Sequence, residues 1–458
     1  MSADVEIIIT ILMKTRLIDL KAVWLIMVCA LCLASCRDND YVRSIPASAT
    51  AVMKIDGAVV AGSHKMLSLL PFGDKTADVI DLSREVYAFE TVDGNLGMCA
   101  RVKDSDALLE ALKTVTTSDV RKLGDCRLTD INNSWAVGFN DKSLVVLGPV
   151  SAAALPDAQR SIVRMLKQDE DASIMARPMY SKLDSIDSRV AFVAQVQALP
   201  EKFAAPFMLG APKGADASQV AVAAGVDIKD GIVRIDGQSF SFDKSIDREL
   251  KKSRAAFRPV KGVFSQSMSH NQLFSLFANV KGKEFLPLLQ SDRSLQAVLM
   301  GLNTAVDFDN IMRSVDGDLA FMFSGMSQDN IAMTMLARVD NPVWTADVDY
   351  WKQSCQPGCS ITGSNGSWVY RGGDTSFSFG LQDDVFYAIS GQAPASIRQL
   401  LKPSQPIYGE VSRMIAGNRM AMVLNLKPLA ANSAAAGGMF DMLKPIIDNV
   451  KAVVCVMK

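Results

Sequence analysis

The sequence predicts an α+β protein made of two tandem homologous units, each a mostly antiparallel sheet with helices packed on one face. Three observations carry this prediction. Short runs of apolar and β-branched residues, bounded by turn residues, recur along the chain as strands should. Between them lie stretches with apolar residues three and four apart, the spacing of a helix with one buried face. Finally, "CRLTDINNSW" from Cys126 returns as "CSITGSNGSW" from Cys359, sharing Cys, Thr, Asn, Ser and Trp at the same five of ten positions. In a chain with 8 Cys and 5 Trp this is a poor candidate for chance.

Residues 1–35 read as a signal segment and stand outside the fold. Lys14, Arg16 and Lys21 give a basic n-region, and Ala22 to Ser35 an apolar h-region too short to span a bilayer comfortably. Leu33-Ala34-Ser35-Cys36 resembles the bacterial lipobox, which makes Cys36 the lipidation candidate. Asp4 and Glu6 put acid where a signal wants base, so the translation start is read at Met13. Acyl chains on Cys36, at about 0.8 kcal/mol per buried methylene, would anchor the protein without a transmembrane helix. No later run reaches about 18 apolar residues. Residues 36–44 are read as a short polar tether. Its acids, interrupted by Arg37 and Asn39, partly resemble a surface-export signal.

The first unit is assigned to residues 45–257 and the second to 258–458. In the first, "TAVMKI", "EVYAFE", "LGMCARV", "LVVLG" and "VAFVAQV" read as strands, while "SDALLEALKTV" and "AQRSIVRMLKQ" read as helices, with Asp104 a cap candidate. Gln219 to Phe242 reads as a hairpin turning at Lys229-Asp230-Gly231, and the charged run Asp247 to Pro259 as the join. Ala100-Arg101-Val102 returns as Ala337-Arg338-Val339, "TAVMKID" is matched to "KGVFSQS", and "YSKLDSIDSRVAFVAQVQAL" to "YGEVSRMIAGNRMAMVLNLKPL". Asn132-Asn133 and Asn365-Gly366 are turn signals, so each Cys-to-Trp stretch reads as strand, tight turn and strand, its Trp packing the core. The first unit ends in two strand runs and the second in one, "NVKAVVCVMK". The second is therefore read as lacking its last strand, with an edge open to another chain.

Formal net charge is −1, and no basic run interleaves with aromatics, so nucleic acid is not an expected partner. Beyond the anchor, Cys99, Cys126, Cys355, Cys359 and Cys455 are odd in number, which argues against a fully paired disulfide framework. The spacing of Cys355 and Cys359 fits neither redox nor zinc motifs. No catalytic residues, metal ligands or cofactors are assigned: the chain lacks the nucleophile-elbow, phosphate-loop, dinucleotide and zincin patterns. His64 and His270 each read as lying near a helix start. The pairs Asp316/Asp318 and Asp347/Asp349 read as surface or turn acids. Trp351, Trp368 and Tyr387 are the ligand-binding candidates, as flat surfaces on which a ligand could stack.

The start of the body, Asp40-Tyr41-Val42, then Ile45-Pro46 and the Ala-rich strand that follows, resembles that of Bacteroidota lipoproteins of one domain-of-unknown-function family, number 4836. The resemblance implies an envelope lipoprotein and supplies no catalytic residues. Two functions are therefore expected as alternatives. One is an outer-membrane lipoprotein, periplasmic or surface-exposed, acting as a non-enzymatic interaction or structural module with an envelope protein or glycan partner. The other is a lipoprotein binding glycan, peptide or lipid in a groove between the units.

Overall fold

Turn chemistry sets where the strands end. Asn132 and Asn133 (φ 54° and 51°), Asp230 and Gly231 (53° and 77°), and Asn365 and Gly366 (55° and 79°) occupy the left-handed region. The last two pairs close two-residue hairpins whose twist matches the flanking strands, while Asn132, Asn133 and Ser134 form a three-residue loop. The computed structural model describes residues 39–62, 76–116, 118–199, 201–291, 296, 303, 306–324, 332–373, 375–390, 396–431 and 450–458.

The N-terminal half supplies β1 (Ala51–Ile55), β2 (Val86–Glu90), β3 (Leu96–Arg101), β4 (Arg121–Leu123), β5 (Cys126–Ile131), β6 (Trp135–Phe139), β7 (Ser143–Gly148), β8 (Val190–Gln195), β9 (Ala221–Lys229) and β10 (Ile232–Phe240). The C-terminal half supplies β11 (Phe257–Arg258), β12 (Phe274–Lys281), β13 (Val315–Phe323), β14 (Met333–Val339), β15 (Cys359–Ser364), β16 (Ser367–Gly372), β17 (Thr375–Gln382), β18 (Val385–Ser390), β19 (Met420–Asn425) and β20 (Ala452–Met457). Helices that matter below are α1 (Ser105–Val115), α2 (Leu155–Lys167), α3 (Lys244–Ser253), α4 (Val348–Ser354) and α5 (Gly409–Ile415).

These strands join into one sheet. From one edge its order is β4-β5-β6-β7-β3-β2-β1-β8-β9-β10. From the other edge it is β15-β16-β17-β18-β14-β13-β12-β19-β20, with the short β11 continuing β19's side of β12. The two runs meet where β10 pairs with β20 in parallel, Ile232 opposite Ala452 and Gly237 opposite Met457. The other strand pairs are antiparallel.

Helices cover both faces of this sheet rather than one. All six residues of β7 are buried. Val145 and Leu147 pack toward Ile162 and Met165 of α2, whereas Leu144 and Val146 pack toward Leu108 and Leu112 of α1. In the other half, Met335 and Ala337 of β14 share a core with Trp351 of α4, and Leu336 shares one with Val411 and Ile415 of α5. The cause is visible in "SLVVLG": a continuous apolar run has no polar side to leave in water. α1 forms over the expected residues, with the Asp104 carboxylate accepting from the amides of Asp106 and Ala107, both at 2.9 Å.

Three further expectations are corrected. Lys261 to Ser267 is irregular, and the strand of that region is β12, so the match to "TAVMKID" falls one segment early. The edge of β20 away from β19 is occupied by β10 and is not open to another chain. The two Cys-to-Trp stretches do form strand, turn and strand. They are one strand out of step, however: counting outward from β3, Cys126 is on the third strand, and counting outward from β14, Cys359 is on the fourth. Their turns also differ, three residues between Ile131 and Trp135 against two between Ser364 and Ser367, so the likeness is one of sequence in two differently placed hairpins.

Candidate functional site

Alternation along three neighbouring strands gathers the C-terminal aromatics. Trp368 and Tyr370 of β16, Phe377 and Phe379 of β17 and Phe386 of β18 point to one face, as residues two apart must. α4 brings Trp351 down on them, and the turn before it brings Trp344, which is fully buried. Trp344 lies parallel to Trp351 at 6.2 Å, edge-on to Trp368 at 6.1 Å and edge-on to Phe386 at 5.6 Å. These separations suit aromatic pairs. The Trp344 indole N–H donates to Ser314 Oγ at 3.2 Å, so the ring leaves no polar atom unpaired.

Trp351 and Trp368 thus share one layer, 8 % and 7 % exposed. Tyr387, 7 % exposed, lies across the sheet from them with Leu336, and its hydroxyl donates to Ser367 Oγ at 2.8 Å. All three candidates are core residues. Trp344, the centre of the layer, was missed by sequence reasoning because "NPVWTAD" carries neither helical nor strand periodicity.

Where the two runs of strands meet, a cavity of about 60 Å³ is lined by Ser239, Ser253, Arg254, Phe257, Arg419 and Met457, among others. Arg254 Nη2 donates to the Ser239 carbonyl at 2.9 Å, and Arg419 Nη1 to the Arg254 carbonyl at 3.3 Å. Ser239 Oγ has no protein partner. The space suits a few waters, whereas drug-sized ligands occupy several hundred Å³.

At the N-terminus a 3-10 turn, Asp40–Ser44, inserts Tyr41 and Val42, and with them Ile45, fully into the core. The Gln168 amide donates to the carbonyls of Arg43 and Ile45, Ile174 N–H to Ile45 O at 2.9 Å, and Cys99 Sγ to Tyr41 O at 3.2 Å. Burial pushes the Tyr41 and Tyr87 hydroxyls above the ordinary phenol range, so both stay neutral. Cys36 lies outside the described residues, as does His64. His270 sits in a turn before β12, not at a helix start. Its ring meets Tyr408 edge-on at 4.8 Å, and its Nδ1 is buried without a partner.

Asp318 is not a surface acid: it is 2 % exposed and accepts from Lys261 N–H (2.9 Å), Val263 N–H (2.8 Å) and Asn279 Nδ2 (2.8 Å). It pins the irregular segment ahead of β12. Asp316, Asp347 and Asp349 are exposed. Among the described residues no group of three or more His, Cys, Asp or Glu is placed to hold a metal, and no helix is long and apolar enough to cross a membrane.

These features define an α+β protein with a large, mostly antiparallel sheet and helices on both its faces. The chain belongs to the family described as "Domain of unknown function (DUF4836)", which matches residues 61–397. No curated protein matches it. Among solved structures, crystal form III of TP0453 is similar at 6% identity and a TM-score of 0.20, covering 76% of this chain and 92% of that one.

Proposed function

We propose that this protein is a cell-envelope lipoprotein, held at the outer membrane by acyl chains on Cys36. Its body, in this reading, consists of two tandem units serving as a non-enzymatic interaction or structural module. The observation that carries the non-ligand reading is the burial of Trp351, Trp368 and Tyr387, since rings packed in a core cannot stack on a glycan. The small size of the cavity between the two runs of strands also weighs against a groove holding glycan, peptide or lipid. The recurring strand order supports a duplication, with β12, β13, β14, β18 and β19 in the places of β1, β2, β3, β7 and β8. The anchor rests on the signal and the lipobox-like Leu33-Ala34-Ser35-Cys36. The tether is shorter than the expected 36–44, because Tyr41 and Val42 are packed in the core.

The test is fractionation of cells carrying wild type or Cys36→Ala, followed by protease treatment of intact cells. Wild type is expected in the membrane fraction and Cys36→Ala in the soluble one. Equal membrane retention would remove the anchor. Digestion from outside would direct the search for partners to the surface, and protection would direct it to the periplasm.

A further inference from the structure

The five cysteines of the described residues fall into two classes. Cys99 on β3 and Cys126 on β5 are buried, and burial pushes both thiols up. Cys455 on β20 is pushed up to about 12, by burial first and by Asp236 second. Thiols held protonated in this way are inert, and these three stand on separate strands. Cys355 and Cys359 differ in standing four residues apart across one turn. Both are half-exposed, the first closing α4 and the second opening β15.

The chain between them doubles back. Cys359 N–H donates to the Gln356 carbonyl at 2.9 Å, and Gly358 takes φ 86° behind Pro357. Pro then Gly at the central positions is the signature of a type II turn, which brings its ends within about 7 Å. Both side chains pack against the same aromatic core. Cys359 Sγ accepts from the Tyr370 hydroxyl at 3.3 Å, and the hydroxyl's pKa is pushed up to about 12, first by that bond, with Cys355 among the further causes. Cys359 is the last residue of that turn and Cys355 the residue just before it. Disulfides need α-carbons about 4.4–6.8 Å apart, a span that a chain reversed in this way can meet.

We propose that Cys355 and Cys359 form a dithiol site that an external disulfide oxidises to an intramolecular bridge. One cysteine thiolate attacks a sulfur of the external disulfide, giving a mixed disulfide and releasing the first thiolate. The second cysteine thiolate then attacks the protein sulfur and releases the other. Two protein thiols are oxidised, one external disulfide is reduced to two thiols, and the two protons leave with them. The bridge closes a ring over the turn and ties α4, which carries Trp351, to β15, which pairs with the strand carrying Trp368. It does not depend on the anchor at Cys36.

The test treats the folded full chain with oxidised glutathione, then alkylates it, digests it with trypsin and weighs the Gln353–Arg371 peptide, which holds both cysteines. The doubly alkylated peptide is expected to fall at least about tenfold, replaced by one two hydrogens lighter than the dithiol. Cys355→Ser is expected to stop at a glutathione adduct on Cys359. If wild type keeps both alkyl groups, or accumulates glutathione adducts in place of the ring, the thiols do not meet and the proposal fails.

Discussion

The two halves of the sheet share an order of strands but not a filling. Around β3 and β7 the core is mostly aliphatic, with Leu108, Leu112, Val137 and Leu144 beside Phe139 on one face and Ile162, Val145 and Leu147 on the other. Around β14 and β18 the corresponding space holds Trp344, Trp351, Trp368, Phe379 and Phe386. Strand order follows from where apolar runs and turn residues fall, and it tolerates wholesale exchange of the residues between layers so long as volume is filled. What the C-terminal half gains in aromatic surface it concentrates in fewer residues. Single substitutions there should therefore weigh more.

The largest effect is expected for Trp344→Ala, which empties the centre of the aromatic layer and should cost about 3–5 kcal/mol in denaturant-induced unfolding. An equal loss from Leu112→Ala, also fully buried, would break the contrast between the halves. Next comes Asp318→Ala. It removes the acceptor of the buried Asn279 side-chain amide and of the Lys261 and Val263 backbone amides, and the cost should be roughly 1–3 kcal/mol. Hydrogen exchange at those two amides should rise with it, whereas Asp316→Ala should leave them protected.

In the N-terminal half a test site is Gly97, where a Cβ would run into the Phe89 ring opposite. Gly97→Ala should cost about 1–3 kcal/mol through displacement of that ring. Thermal unfolding at native stability would show the ring to be free to move. The smallest effect concerns Asp40, whose carboxylate takes a hydrogen bond from Lys142 at 3.0 Å and pairs with Arg43. The Lys142 bond is the chief cause of its lowered pKa. A depressed folded value means the pair stabilises fully above the ordinary value near 3.8 and loses that contribution as pH falls through the lower folded value. Lys142→Ala should therefore reduce stability at neutral pH slightly and flatten the acid limb of unfolding, and an unchanged limb would show the pair to be inert.

The local elements were legible because their signals are local. Asp104 before "SDALLEALKTV" fixes a helix start, and Asp230-Gly231 fixes a hairpin, whatever lies around them. The first strand of the second half was misplaced because "KGVFSQS" is apolar enough to imitate a strand, while its conformation is set by a carboxylate 55 residues away at Asp318. The two-sided cover was missed although "SLVVLG" signals it, because that run was weighed only as evidence for a strand and not for the absence of a polar face. The aromatic site candidates were chosen for chemistry that rings share with core packing. Only the positions of Trp344 and Phe379 beside them decide between the two, and no spacing in the sequence encodes that.

The parallel contact between β10 and β20 has a consequence for synthesis. Ile232 must wait for Ala452, so the N-terminal run of strands leaves the ribosome complete except for one unpaired edge. Until β20 emerges, β10 stays bare beside β9. Contacts this distant in sequence form late, and exposed strand edges invite the wrong partner. The seam is thus the one junction at which the two runs of strands depend on each other for a covered edge.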